Sequence, residues 1–139
     1  MSARIPDDRY VATVGVRVGY VDTDRAQVVH HSTYLRYLEM ARVEYLRSRQ
    51  YDYRSLEYDQ GMSLAVVEAN VRYRAGARFD DELVLKTWIG LVNRAKLRFD
   101  SVILRGDEVM TTAEITCCCV KLSAGRIASI PPELIAMGR

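Results

Sequence analysis

The sequence is poor in the residues that build stapled, metal-bound or membrane-crossing proteins. Its three cysteines are consecutive, Cys117 to Cys119. In an extended strand neighbours point to opposite faces, so only Cys117 and Cys119 share a side, and neither a disulfide framework nor a metal site is expected from them. The two histidines, His30 and His31, are also adjacent and lack HExxH-like spacing, so no metal is expected there either. No apolar run is long enough to cross a bilayer, and the opening MSARIPDDRY has no apolar core of the secretion-signal type. A cytoplasmic protein without a membrane span is the expectation. Charge of one sign is scarce as well: 20 Lys and Arg face 18 Asp and Glu without a run of either, which argues against a nucleic-acid partner. Repeats, low-complexity segments and linkers are missing, which leaves one domain over residues 1–139.

What is present is patterning. With 49% of residues hydrophobic, the chain has enough apolar material for a core. Residues 11–20 are rich in valine, with Ala12, Val14, Val16, Val18 and Tyr20 on one face, and read as a first strand. After a polar turn, residues 33–48 carry Tyr34, Tyr37, Leu38, Ala41 and Tyr45 at helical spacing, with Ser32 or Thr33 placed to cap the helix. Leu35, Met40, Val43 and Leu46 make other sides of this helix apolar too, which predicts a buried helix wrapped by a sheet. Residues 49–60 are polar and suit a short second helix. Four strand patterns follow, at 64–75, 82–92, 95–105 and 108–122, with turns at Asn93-Arg94 and Gly106-Asp107. In the first of these, Ala65, Val67, Ala69, Val71 and Tyr73 alternate with more polar residues; in the second, Leu83, Leu85, Ile89 and Leu91 share a side. Pro131-Pro132 and the ELIAM segment suggest a closing helical turn on the surface. The order of one strand, one long helix and four antiparallel strands gives an α+β fold, a curved sheet of about five strands around one helix. One sheet with one helix leaves edges and an apolar outer face uncovered, so a homodimer at minimum is expected.

The stretch YVDTDRAQVVHHSTYLRYLEMAR, residues 20–42, holds the chemistry. No Gly-x-Ser-x-Gly elbow occurs, and the cysteine run lies inside a strand pattern without a paired histidine, which removes the common nucleophilic hydrolase arrangements. Asp24 stands beside a helix start whose free N–H groups and positive partial charge suit a polarised carbonyl oxygen. A carboxylate there serves as general base on water or as nucleophile, which fits hydrolysis of an activated acyl compound such as a thioester. By spacing alone, a turn or capping role suits both Asp22 and Asp24 equally. Glu39 and Arg42 read as a buried or interfacial ion pair, and Arg72, Arg74, Arg94 and Lys96 as solvated charges.

Tyr20, Asp22-Thr23-Asp24, Val28-Val29, His31, Tyr34-Leu35, Tyr37 and Glu39-Met40-Ala41-Arg42 resemble the 4-hydroxybenzoyl-CoA thioesterase family, most of all its Tol-Pal-associated branch. The resemblance implies the hotdog fold and an acyl-CoA thioesterase, with coenzyme A as part of the substrate and no cofactor. It places catalysis on Asp24, leaves Asp22 structural, and gives the backbone N–H of His31 to the thioester oxygen. Gln27, Val29 and Tyr34 are the implied substrate-binding residues, and a homotetramer is the implied assembly. Gln27 departs from the family, which usually has glycine three residues after the catalytic aspartate; its side chain is placed to narrow the acyl pocket. A protein that binds acyl thioesters without hydrolysing them is the alternative on the same fold.

Overall fold

The computed structural model describes residues 4–138; the ends of the expected 1–139 domain, residues 1–3 and 139, lie outside the described residues. The elements run β1 (Ala12–Arg17), a 3-10 turn (Tyr20–Asp22), α1 (His31–Ser48), α2 (Tyr53–Tyr58), β2 (Met62–Tyr73), β3 (Glu82–Val92), β4 (Leu97–Arg105), β5 (Glu108–Lys121), β6 (Arg126–Ala128) and α3 (Pro132–Met137). The strands form one antiparallel sheet in the order β1-β3-β4-β5-β2. β6 is a sixth strand beyond the five expected from the sequence. Because β2 already holds one edge of β5 at Cys119, β6 takes the other edge, where β4 has ended.

α1 lies on one face of this sheet. Tyr34, Tyr37, Leu38 and Ala41 pack against Leu83, Leu85, Ile103, Ile115 and Cys117 in one cluster. Tyr45 and Leu46 join Ile89, Leu97, Phe99 and Cys119 in a second. The burial is a stripe rather than the wrapping expected of a helix apolar over most of its circumference: Leu35 is 44% exposed, because a single sheet covers only one side of a helix. The closing segment departs from a surface turn as well, since Ile130 and Leu134 are fully buried in the second cluster and α3 closes that end of the core.

Two bulges reset the side-chain alternation, which a period-2 reading cannot foresee. In β2 the register shifts between Val66 and Glu68. Leu64 and Val66 are therefore in phase with the inward Cys119 and Cys117, while Ala69 and Val71 match Ile115 and Ala113; Ala65 and Val67 do not share their face. In β3 the shift falls at Gly90, so Val92 rather than Leu91 turns to the core. A Cβ at Gly90 would overlap the Asp100 carboxylate, which explains glycine there. The three cysteines are buried and free, with Cys117 and Cys119 on the core side. Glu39 and Arg42 form no ion pair among the described residues.

Candidate active site

The site begins where β1 stops. The first strand ends at Arg17, short of the expected Tyr20, because the chain folds into the 3-10 turn and then into a tight loop. In that loop the Asp24 N–H donates to the Val28 carbonyl at 3.0 Å and the Gln27 N–H to the Asp24 carbonyl at 2.9 Å. Thr23 and Val29 are bridged across it, so the loop is a small hairpin with its bulge residue at Gln27. Gln27 has φ of 67°, the left-handed conformation that glycine adopts without strain. Gln27 therefore adopts that conformation itself and carries its backbone cost.

The two aspartates of this loop differ in surroundings. Asp22 is buried, and its carboxylate accepts from Tyr37 Oη at 2.8 Å, Arg36 Nη2 at 2.5 Å and the Gly19 N–H at 3.1 Å. Burial pushes its pKa up, but the Tyr37 hydroxyl, the Gly19 N–H and the Arg36 charge outweigh that and hold it below the ordinary carboxylate value. Burial and the Asp22 carboxylate together push the Tyr37 hydroxyl well above its usual range. Asp24 is exposed, and only Oδ1 is engaged, by the Ala26 N–H at 2.8 Å. Oδ2 has no partner among the described residues.

α1 starts at His31, two residues earlier than expected, and its N-cap is His30 rather than Ser32 or Thr33. The His30 Nδ1 accepts from the Ser32 N–H at 3.2 Å. His30 is itself tied down, its N–H donating to the Asp22 carbonyl at 3.0 Å. The rings of His30 and His31 stack with centroids 4.3 Å apart. The N–H of His31, in the first helical turn, has no acceptor among the described residues.

A strap after β2 closes the other wall. The Val29 N–H donates to the Ala77 carbonyl at 2.8 Å, and Val28 is bridged to Arg78. The strap presses so closely that a Cβ on Gly76 would lie 2.9 Å from Val28 Cγ1. Tyr34 is buried, its hydroxyl oxygen accepting from the Ala77 N–H at 3.2 Å. Tyr73, the last residue of β2, tilts its ring against Tyr34 with centroids 5.3 Å apart and donates its hydroxyl to the His31 carbonyl at 3.1 Å.

These elements enclose an open cleft of about 360 Å³. Of the residues singled out in the sequence, Asp24, His31, Val29 and Tyr34 line it together, and Gln27 does not. Val28, Tyr73, Arg74 and Gly76 line it too and had not been assigned to the site. For Tyr73, Arg74 and Gly76 the signal is weak: the strap follows β2 in sequence, and only contacts made across the fold, such as the Val28–Arg78 bridge and the Val29–Ala77 hydrogen bond, return it to the helix start. Arg74, read as a solvated charge, forms no ion pair among the described residues.

The profile of the thioesterase-like superfamily matches residues 6–137. The chain is 32% identical over 121 residues to the acyl-CoA thioesterase YbgC of Haemophilus influenzae, covering 87% of this chain and 89% of that protein. A crystal structure of a hypothetical protein from Aquifex aeolicus superimposes with a TM-score of 0.85 at 30% identity, over 92% of this chain and 99% of that one. A 4-hydroxybenzoyl-CoA thioesterase variant, crystallised with 4-hydroxybenzoyl-CoA, superimposes with a TM-score of 0.82 over 93% of this chain and 99% of that one, and at 20% identity speaks for the fold alone. With its profile match running from one end of the described sheet to the other, the chain belongs to the thioesterase-like superfamily and has the hotdog fold.

Proposed function

We propose that the protein is an acyl-CoA thioesterase, hydrolysing an acyl-CoA to the free acid and coenzyme A. One observation carries the residue assignment: a carboxylate with an unengaged oxygen, Asp24, and a helix start with an unpartnered N–H, His31, line the same cleft. In the base route, Asp24 takes a proton from water as the water oxygen bonds to the thioester carbon. The carbonyl oxygen becomes an oxyanion that accepts from the His31 N–H. The C–S bond then breaks, the sulfur keeps its electron pair, and the proton held by Asp24 passes to the thiolate. In the nucleophile route Asp24 itself bonds to the carbon, the thiolate leaves, and water hydrolyses the mixed anhydride. Val29 and Tyr34 wall the acyl group in both routes, with Gln27 shaping the loop beside it.

The reading includes assembly as a homodimer at minimum and a homotetramer. Support comes from β2, an edge strand of 12 residues with Val66 48% and Val67 56% exposed. An uncovered apolar edge of this kind suits strand pairing with a second copy. The placement is cytoplasmic, on the ground that the substrate is an acyl-CoA; no helix of the described residues is long and apolar enough to cross a membrane.

A panel of aliphatic and aromatic acyl-CoAs with detection of released thiol tests the reading. Hydrolysis above background by the parent, and its loss in Asp24→Asn, is the expected result. Binding without thiol release across the panel would move the protein to the non-hydrolytic alternative.

A further inference from the structure

We propose that Tyr73 is a positioning residue for the reaction: its hydroxyl clamps the first peptide of α1 so that the His31 N–H stays aimed into the cleft. The inference rests on the thioesterase reading for its catalytic consequence, but its structural part stands on contacts alone. The peptide joining His31 to Ser32 is held at both ends. Its carbonyl accepts from Tyr73 Oη at 3.1 Å, and its N–H donates to His30 Nδ1 at 3.2 Å. The next peptide back carries the His31 N–H, and its own carbonyl, that of His30, accepts from the Thr33 N–H at 2.9 Å, so the two successive planes are both anchored and the His31 dihedrals between them have little room to turn.

The two clamps come from different parts of the chain. His30 lies in the loop and is tied to Asp22, whereas Tyr73 ends an edge strand 42 residues away from His31 in sequence. Within the described residues, Tyr73 joins sheet edge to helix start by a direct side-chain bond. Its ring is braced by Tyr34, which is buried and in turn accepts from Ala77 of the strap. A helix start is the least constrained part of a helix because its N–H groups lack intrahelical partners. An oxyanion donor placed there is useful only if its direction is fixed before the charge develops. Tyr73 is half-exposed and its hydroxyl makes no other hydrogen bond among the described residues, so a purely structural use of that hydroxyl would contribute little.

The test compares the parent with Tyr73→Phe, which keeps the ring and removes the hydroxyl. Thiol-release kinetics on the best acyl-CoA of the panel should show kcat lowered about fivefold or more, with KM and melting temperature unchanged, as expected for one lost hydrogen bond felt in the transition state. Hydrogen exchange read residue by residue gives the second measurement: the Ser32 amide should exchange about fivefold faster in Tyr73→Phe, while core strand amides stay as in the parent. Tyr73→Leu, which also removes the ring, should raise KM in addition. A kcat within twofold of the parent, or a kcat loss matched by a fall in melting temperature, overturns the positioning role. Unchanged exchange at Ser32 overturns the clamp itself, whatever the protein hydrolyses. Faster exchange at Ser32 in a protein whose parent hydrolyses nothing leaves the clamp standing and sinks the thioesterase reading.

Discussion

Asp22 and Asp24 are separated only by Thr23, and the chain treats them in opposite ways. The Asp22 side chain points toward α1, and three donors, Tyr37 and Arg36 of the helix and the Gly19 N–H, converge on its buried carboxylate. The Asp24 side chain stays at the rim of a cleft with one oxygen unengaged. The change of local structure between them makes the difference: the 3-10 turn ends at Asp22, and the hairpin that starts next carries Asp24 outward. Two carboxylates one residue apart thus divide the work. One is bound to Arg36 and Tyr37 of the helix, and the other is held next to the helix start with an oxygen left over.

The sharpest way to break the comparison is to exchange the fates of the two residues. Asp24→Asn should lower kcat by about 10²- to 10⁴-fold, the usual span for a positioned base, while the melting temperature stays within a degree or two of the parent. Near-parental turnover in that variant would remove Asp24 from the chemistry. Asp22→Ala should act on stability first. It leaves the Tyr37 hydroxyl and the Gly19 N–H unpartnered under the helix and releases Arg36. The expected loss is about 3 kcal/mol, or roughly 10 °C in melting temperature, measured by calorimetry. A melting temperature equal to the parent's would show that these contacts do not hold the helix start.

Acid tests the Asp22 side of the comparison next. A carboxyl whose folded pKa lies below its unfolded value lends stability that is complete above the unfolded value, about 3.9, and is lost as pH falls through the folded value. Asp22 is held low in this sense, and so is Asp81, where burial is outweighed by the Arg78 N–H and the Arg105 guanidinium. Asp100 works in the other direction: burial holds its pKa up against the opposing pull of the Arg98 guanidinium, so it lends nothing to this acid-sensitive fraction. Melting temperature should therefore drop as pH falls below about 4. In Asp22→Ala the drop should be shallower but not abolished, because Asp81 remains. Parallel curves for parent and variant would contradict the low value of Asp22.

The fold was legible wherever one physical signal dominated. Valine alternation in β1, the aromatic spacing of α1 and the turn at Gly106 each point to a single local structure, and each formed within a few residues of its expected place. The misreadings sit where a long-range contact overrides a local rule. The β2 bulge at Val67 changes the inward face midway, and Gly90 does the same in β3. His30 outcompeted Ser32 as N-cap because the Asp22 carbonyl fixes its backbone, a contact between the 3-10 turn and the helix that helix-capping preferences cannot contain. Asp24, His31, Val29 and Tyr34 could be grouped in advance because they lie within one short stretch. Tyr73 and Arg74 could not, since the end of β2 and the strap after it reach the cleft only through contacts made across the fold.

Gln27 gives the smallest expected effect and the finest reading of the loop. Its φ of 67° places a side chain in a conformation that costs an L-residue about 1–2 kcal/mol and costs glycine almost nothing. Glycine also adds freedom to the unfolded chain, which offsets part of that relief. Gln27→Gly should therefore stabilise the protein by about 0.5–1 kcal/mol, raising the melting temperature by roughly 2–3 °C. Gln27→Ala removes the side chain beyond Cβ but keeps the strained backbone, so it should give no such gain. If both variants gain equally, the cost lies in the glutamine side chain rather than in its φ. If neither gains, the hairpin holding Asp24 at the cleft is not strained at this position, and the departure from glycine leaves the loop's stability unchanged.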